Sequence, residues 1–217
     1  MKMEKLRFDK LNIEIEIKTD DLSLFEIEEL RDSVRVFYEN KKIVTIFRDS
    51  RVKLYNFAHV ICYAGGVVAF NDVFVEAWGA SRVWARGKSR VEAYDRSLVM
   101  AYDKSYVVGF NRSTIRAYNT SSVMGCDECI IRAYNAATVT GFDSSFIIAR
   151  DNVNCLLFQG AEVRASGHAK IRALDSSRVT ARGYAQVDLE GKSIGYKKPF
   201  SRAKINKLDN RAAIFNN

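Results

Sequence analysis

The chain is nearly without proline. It has one in 217 residues, where an ordinary composition would supply about ten. Proline has no backbone N–H to donate, so its scarcity points to a continuous backbone hydrogen-bond ladder. Glycine is also sparse, at 12, and apolar residues make up 47%; these values exclude a collagen-like or a disordered chain. No stretch reaches the ~18 consecutive apolar residues of a membrane-spanning helix. The opening MKMEKLRFDKLNIEIEIKTD alternates in charge where a secretory leader would place an apolar segment. Cys62, Cys126, Cys129 and Cys155 form no disulfide framework, and free thiols in the cytoplasm are the expectation, with no membrane partner. Cys126-x-x-Cys129 lacks the second ligand pair of a zinc site, and the chain's histidines are His59 and His168. No metal and no cofactor is expected.

What is present is a repeat. From Ser81 the chain reads in eights: SRVWARGK, SRVEAYDR, SLVMAYDK, SYVVGFNR, STIRAYNT, SSVMGCDE, CIIRAYNA, ATVTGFDS, SFIIARDN. Looser octads run on to about residue 192, and upstream ones begin at Ser50, Ala58 and, more divergently, Lys42. The octad opened at Gly65 starts only seven residues after the one before it. Position 1 is small, position 3 is Val or Ile, and position 5 is Ala or Gly. Side chains alternate along a strand, so these three share one face and positions 2, 4 and 6 share the other. Position 7 is Asp, Asn or Gly, residues suited to turns. Each octad is therefore one short strand and a corner.

Position 5 alternates as Ala101, Gly109, Ala117, Gly125, Ala133, Gly141, Ala149, and IRAYN recurs sixteen residues apart. This second period predicts an all-β fold: a parallel β-solenoid of two strands and about 16 residues per coil, with a thin core. Three octads per coil, in a wider prism, is the alternative. The expected organisation is an N-terminal α/β cap over 1–41, the solenoid over 42–192, and a basic C-terminal tail or cap over 193–217. Ser23-Leu-Phe-Glu26 reads as a capping box opening a helix to about Arg31, and a short basic helix is expected over about 201–214. Pro199 falls where the octads stop, and is expected to mark the end of the coils.

Charge is uneven. Residues 1–40 carry 7 Lys/Arg and 11 Asp/Glu, a net −4, whereas residues 192–217 carry 7 and 1, a net +6. The remaining excess lies in the octads. A basic body and tail suit an anionic partner such as nucleic acid. Outward residues sixteen apart should line up along the rod. One set brings Arg116, Arg132 and Arg164 beside Tyr102, Tyr118, Tyr134 and Arg150, a mixture suited to phosphate contact and base stacking. Lys197 and Lys198 extend it toward the tail. A tyrosine ladder covered by arginine stems is the structural alternative. The other set, Val108, Phe110, Met124, Phe142, Leu156 and Phe158, is apolar and suits contact with protein, including a second copy of the chain as a homodimer.

Catalysis finds no motif: there is no Walker A, G-x-S-x-G or H-E-x-x-H sequence. The outward acids Glu76, Glu92, Glu162 and Asp188 are sparse and expected to lie far apart along the rod, unlike a hydrolytic carboxylate pair, and no catalytic residue is expected. The position-7 acids suggest calcium ligands, but corner geometry accounts for them.

The tandem SRVEAYDRSLVMAYDK and the segment STIRAYNTSSV resemble the octapeptide A-x-V-x-A-Y-D/G-S repeat proteins of bacteriophage and prophage genomes. The resemblance covers about residues 50–190. It implies a phage or mobile-element origin. By analogy with soluble accessory proteins of phages, it also implies an inhibitor of host defence of the anti-CRISPR kind. The expected partner is a host protein or protein–nucleic-acid complex in the host cytoplasm. A virion spacer or a carbohydrate-binding solenoid is the alternative.

Overall fold

The computed structural model describes the strand backbone of residues 14–17, 33–38, 42–47 and 51–54, and residues 59–63 and 65–216 with their side chains. The predicted helix over 23–31 lies outside the described residues. Everything described is strand or turn.

Among the described residues, two sheets of twelve strands face each other across one core. Successive octads alternate between the sheets, so each coil has two strands, and pairing partners are sixteen residues apart: Val99 with Ile115, Ile115 with Ile131. At a parallel strand spacing of about 4.8 Å, twelve strands make a rod roughly 50 Å long. The short octad at Gly65 appears as a pairing step of fifteen residues, Arg51 with Gly66 and His59 with Phe74.

The core follows the octad. Positions 3 and 5 are buried throughout the middle of the rod. Between Ala77 and Ile147 the volumes at position 5 of one strand and position 3 of the next are paired. Gly109, Gly125 and Gly141 precede Ile115, Ile131 and Ile147, whereas Ala77 and Ala93 precede Val83 and Val99. A β-carbon added at Gly125 would lie 2.6 Å from Ile131 Cδ1 and 3.1 Å from Cys129 Sγ. Glycine is thus required there by the reach of isoleucine, and Leu189 before Gly195 shows the reverse exchange.

Position 1 contributes rows of serine. Ser81, Ser89, Ser97, Ser105 and Ser121 are buried, with hydroxyls that lack a hydrogen-bond partner among the described residues. Ala137, Ala161, Ala169 and Ala185 take the same position in other coils. A buried hydroxyl without a partner is costly, so Ser121→Ala is expected to stabilise the protein by about 1 kcal/mol, read as a higher urea midpoint. A lower midpoint would show that Ser121 bonds the Tyr118 carbonyl, as Ser177 Oγ does with Leu174 O at 2.7 Å.

The corners explain the Asp/Asn choice at position 7. Asp95, Asp103, Asn119 and Asp127 have φ between 54° and 57°, a left-handed conformation that Asn and Asp tolerate better than most residues. Their side chains also bond along the rod: the Asp103 carboxylate accepts from Gly87 N–H at 3.1 Å, and Asp127 from Asn111 N–H at 3.0 Å. Corner chemistry therefore occupies the acids considered above as calcium ligands.

The N-terminal end has the strand expected there, within residues 6–18, and adds an antiparallel pair, whereas the C-terminal end departs from the sequence expectation. At the N-terminal end β1 (Glu14–Ile17) joins β4 (Arg51–Leu54) in parallel on the first sheet. On the second sheet β2 (Ser33–Tyr38) lies antiparallel between β3 (Lys42–Phe47) and the strand His59–Cys62. The octad at Lys42 keeps its register, since β2 brings Val44 level with Val60, but an antiparallel strand separates it from the stack. At the other end the predicted helix over 201–214 is replaced by the strands Lys204–Lys207 and Ala213–Asn216. The open sheet edge left by the preceding coil supplies ladder partners that a helix could not use. Pro199 therefore does not close the solenoid. It sits in a turn lengthened by two residues, where the pairing step grows from sixteen to eighteen, Gln186 with Lys204.

Candidate nucleic-acid interface

Two strands per coil sort alternate octads onto different faces, and this separates the charge. The first sheet's outward positions, counting the residue that closes each strand from Gly66 onward, hold nine cations: Arg82, Arg86, Arg116, Arg132, Arg150, Arg164, Arg178, Arg182 and Lys198. They hold one acid, Glu162, so nine less one leaves +8. The same positions of the second sheet, from His59 to Leu208, hold Arg90, Lys170, Arg172 and Lys204 against Glu76, Glu92, Asp188 and Glu190, four less four, or zero.

On the basic sheet Arg116 and Arg132 are register partners, and Arg164 follows beyond Ile148. Arg116, Arg150 and Arg164 are exposed and Arg132 is half-buried. Arg164 lies over the Phe146 ring at 5.0 Å and 3.9 Å from Glu162. Arg116 and Arg132 have no carboxylate partner among the described residues. Lys198 is exposed, but Lys197 falls in register with Ala181 on the inner row and is half-buried, off the outward face.

The tyrosines form a closed column. Tyr102 and Tyr118 stack at 5.0 Å, and Tyr118 and Tyr134 at 5.2 Å, each pair within 10° of parallel. Arg86 covers the outer face of Tyr102 at 5.1 Å, and Arg150 covers Tyr134 at 5.8 Å. Both faces of every ring are taken, so no base can stack on them; ring edges and hydroxyls remain. The column sets the arginines in place, and the face offers cations to phosphate rather than rings to bases.

The neutral sheet collects the predicted apolar residues. Val108, Phe110, Met124, Phe142, Leu156 and Phe158 lie on it, all half-buried. Trp78, Tyr94 and Phe110 stack in one column, and Phe142 and Phe158 in another, with Cys126 in the gap. Four consecutive strands, from Tyr106–Gly109 to Asn154–Leu157, carry no charge in their outward positions.

The outward acids are not all far apart along the rod, because one sixteen-residue coil returns Glu92 beside Glu76. Glu76 and Glu92 are register partners on adjacent strands, so their backbones are about 4.8 Å apart. One coil spans the sixteen residues between them. His59 Nε2 is 2.6 Å from Glu76 Oε1, and the Tyr94 hydroxyl donates to Glu92 Oε2 at 2.7 Å. Burial, and then the bond to Glu92, pushes the Tyr94 hydroxyl up to about 12.

The Cys126-x-x-Cys129 pair resolves into two environments. Cys129 takes the buried position-1 site and Cys126 a half-buried position 6. Burial pushes Cys129 up to about 12 and raises Cys126 as well, with Asp143 and Asp127 adding to the latter.

No family model, curated protein or solved structure matches the chain.

Proposed function

We propose that this protein is a non-catalytic, macromolecule-binding solenoid that takes the phosphate backbone of nucleic acid on its basic sheet. The observation that carries the reading is the division of charge: +8 on one sheet, zero on the other. A sequence-wide basic excess would serve solubility equally well, whereas one confined to a single flat face makes a surface complementary to a polyanion. The neutral sheet, with its uncharged aromatic and aliphatic middle, is suited to protein. A rod presenting both faces fits a nucleoprotein complex. The sharper form of the proposal is a phage-encoded inhibitor of a host nucleoprotein defence complex, and it rests on the octapeptide resemblance.

Titration of labelled single- and double-stranded oligonucleotides over a range of salt tests the reading. With four to five phosphates engaged, log K should fall against log salt with a slope of roughly −3 for single strands. Absence of binding at low salt would overturn it. The neutral face also supports a virion spacer, oligomeric through that sheet. Proteomics of purified particles separates the two, since an inhibitor should be absent from them.

A further inference from the structure

The stack tolerates little irregularity, and of the two lengthened turns among its described residues, both at the C-terminal end, the longer is conspicuous. Between the strands Ile194–Lys197 and Lys204–Lys207 two residues are added, and the chain's single proline stands there, followed by Phe200. Phe200 has a φ of 56°. Every other described residue with positive φ is Asn, Asp, Gln or Gly. For an aromatic side chain this conformation is strained, and such strain persists where surrounding structure enforces it. The turn is tied on both sides: Lys198 N–H donates to the Ala181 carbonyl at 3.1 Å, and Ser201 Oγ to the Gly183 carbonyl at 3.4 Å.

The result is a ring held out in solvent. Phe200 is 106% exposed, the highest value among the exposed apolar residues described. It stacks on no other described ring, unlike the closed tyrosine column, so both its faces are free. Its surroundings are cationic. Lys198 belongs to the basic sheet, and exposed Arg202 follows two residues later, its guanidinium over the Tyr184 ring at 5.5 Å.

We propose that Phe200 is the base-stacking residue of this protein, taking an unpaired base of single-stranded nucleic acid whose phosphates run from Lys198 onto the basic sheet. The inference rests on the nucleic-acid reading above. It places base contact at the end of the rod, where a free ring exists, and phosphate contact along the face, where rings are closed off. Single strands are favoured over duplex because a paired base offers no open face to the ring.

The test uses the full chain, a thymidine homopolymer and the same strand made abasic, with Phe200→Ala and Phe200→Trp beside the wild type. Phe200→Ala should bind the homopolymer about 10-fold more weakly, with an unchanged salt slope and unchanged affinity for the abasic strand. Phe200→Trp should retain binding, and its emission, taken as the difference from wild type, should be quenched by the homopolymer alone. Wild-type affinity of Phe200→Ala, with the salt slope intact, would overturn the stacking role and leave the phosphate reading standing. That result alongside a loss in protein capture would instead place Phe200 in a protein pocket. Failure of the wild type to bind either strand would overturn both.

Discussion

Exchanging Arg116, Arg132 and Arg164 together for glutamate is expected to weaken oligonucleotide binding at least about 100-fold at low salt and to flatten its salt dependence. Each exchange removes a cation and adds a repulsive charge. The three lie in one row, within four strands of each other on the +8 sheet. The fold should survive, because two of the three are exposed and none has a buried ion partner. Surface changes of this kind usually shift stability within about 0.5 kcal/mol. Arg164→Glu also gives up its contact with Phe146, so circular dichroism and the urea midpoint should accompany the titration. The triple lysine variant keeps the charge and should keep the salt slope. Unchanged affinity in the glutamate variant would remove the basic sheet from the interface.

The second large effect lies in the core. Gly125→Ala is expected to destabilise the solenoid by about 1–3 kcal/mol through overpacking, because the new methyl would sit 2.6 Å from Ile131 Cδ1. Ile131→Val alone should cost about 1 kcal/mol as a small cavity. Together they rebuild the alanine–valine combination that Ala93 and Val99 already use two strands earlier on each sheet. The double variant should therefore lose clearly less than the sum of the two single losses, a favourable coupling larger than the usual error of additivity; the remaining loss comes from the new methyl at 3.1 Å from Cys129 Sγ, where Ala93 faces Ser97. Urea denaturation of the four proteins reads it directly. Additive losses would mean that the volumes of glycine and isoleucine are not paired across the core.

These two experiments probe different levels of legibility. The core pairing was half-visible: the alternation of Ala and Gly at position 5 signalled a two-strand coil, but its cause, the reach of isoleucine across the interior, needed coordinates. The tyrosines at 102, 118 and 134 were correctly placed in one line by their sixteen-residue spacing. Their ring orientation was not, since a period of residues says nothing about χ angles. Glu76 and Glu92 looked remote along the rod yet are neighbours in space. Phe200 carried a weak signal, an aromatic after the only proline at the point where the octads fail, but the basic tail around it read as a helix. Lysine and alanine there favour helix locally, and an unpaired sheet edge outweighs that preference.

Local rules thus reached as far as the coil. Period-two alternation, small residues at position 1 and left-handed corners are properties of eight consecutive residues, and sixteen-residue pairing follows by stacking them. The single proline belongs to the same level, because every strand N–H is needed by the coil before it. Closure of the tyrosine column by Arg86 and Arg150 and release of Phe200 into solvent arise from contacts between residues sixteen or more apart. Those contacts depend on side-chain direction and on which edge is left open, and both are set when the coils close on one another.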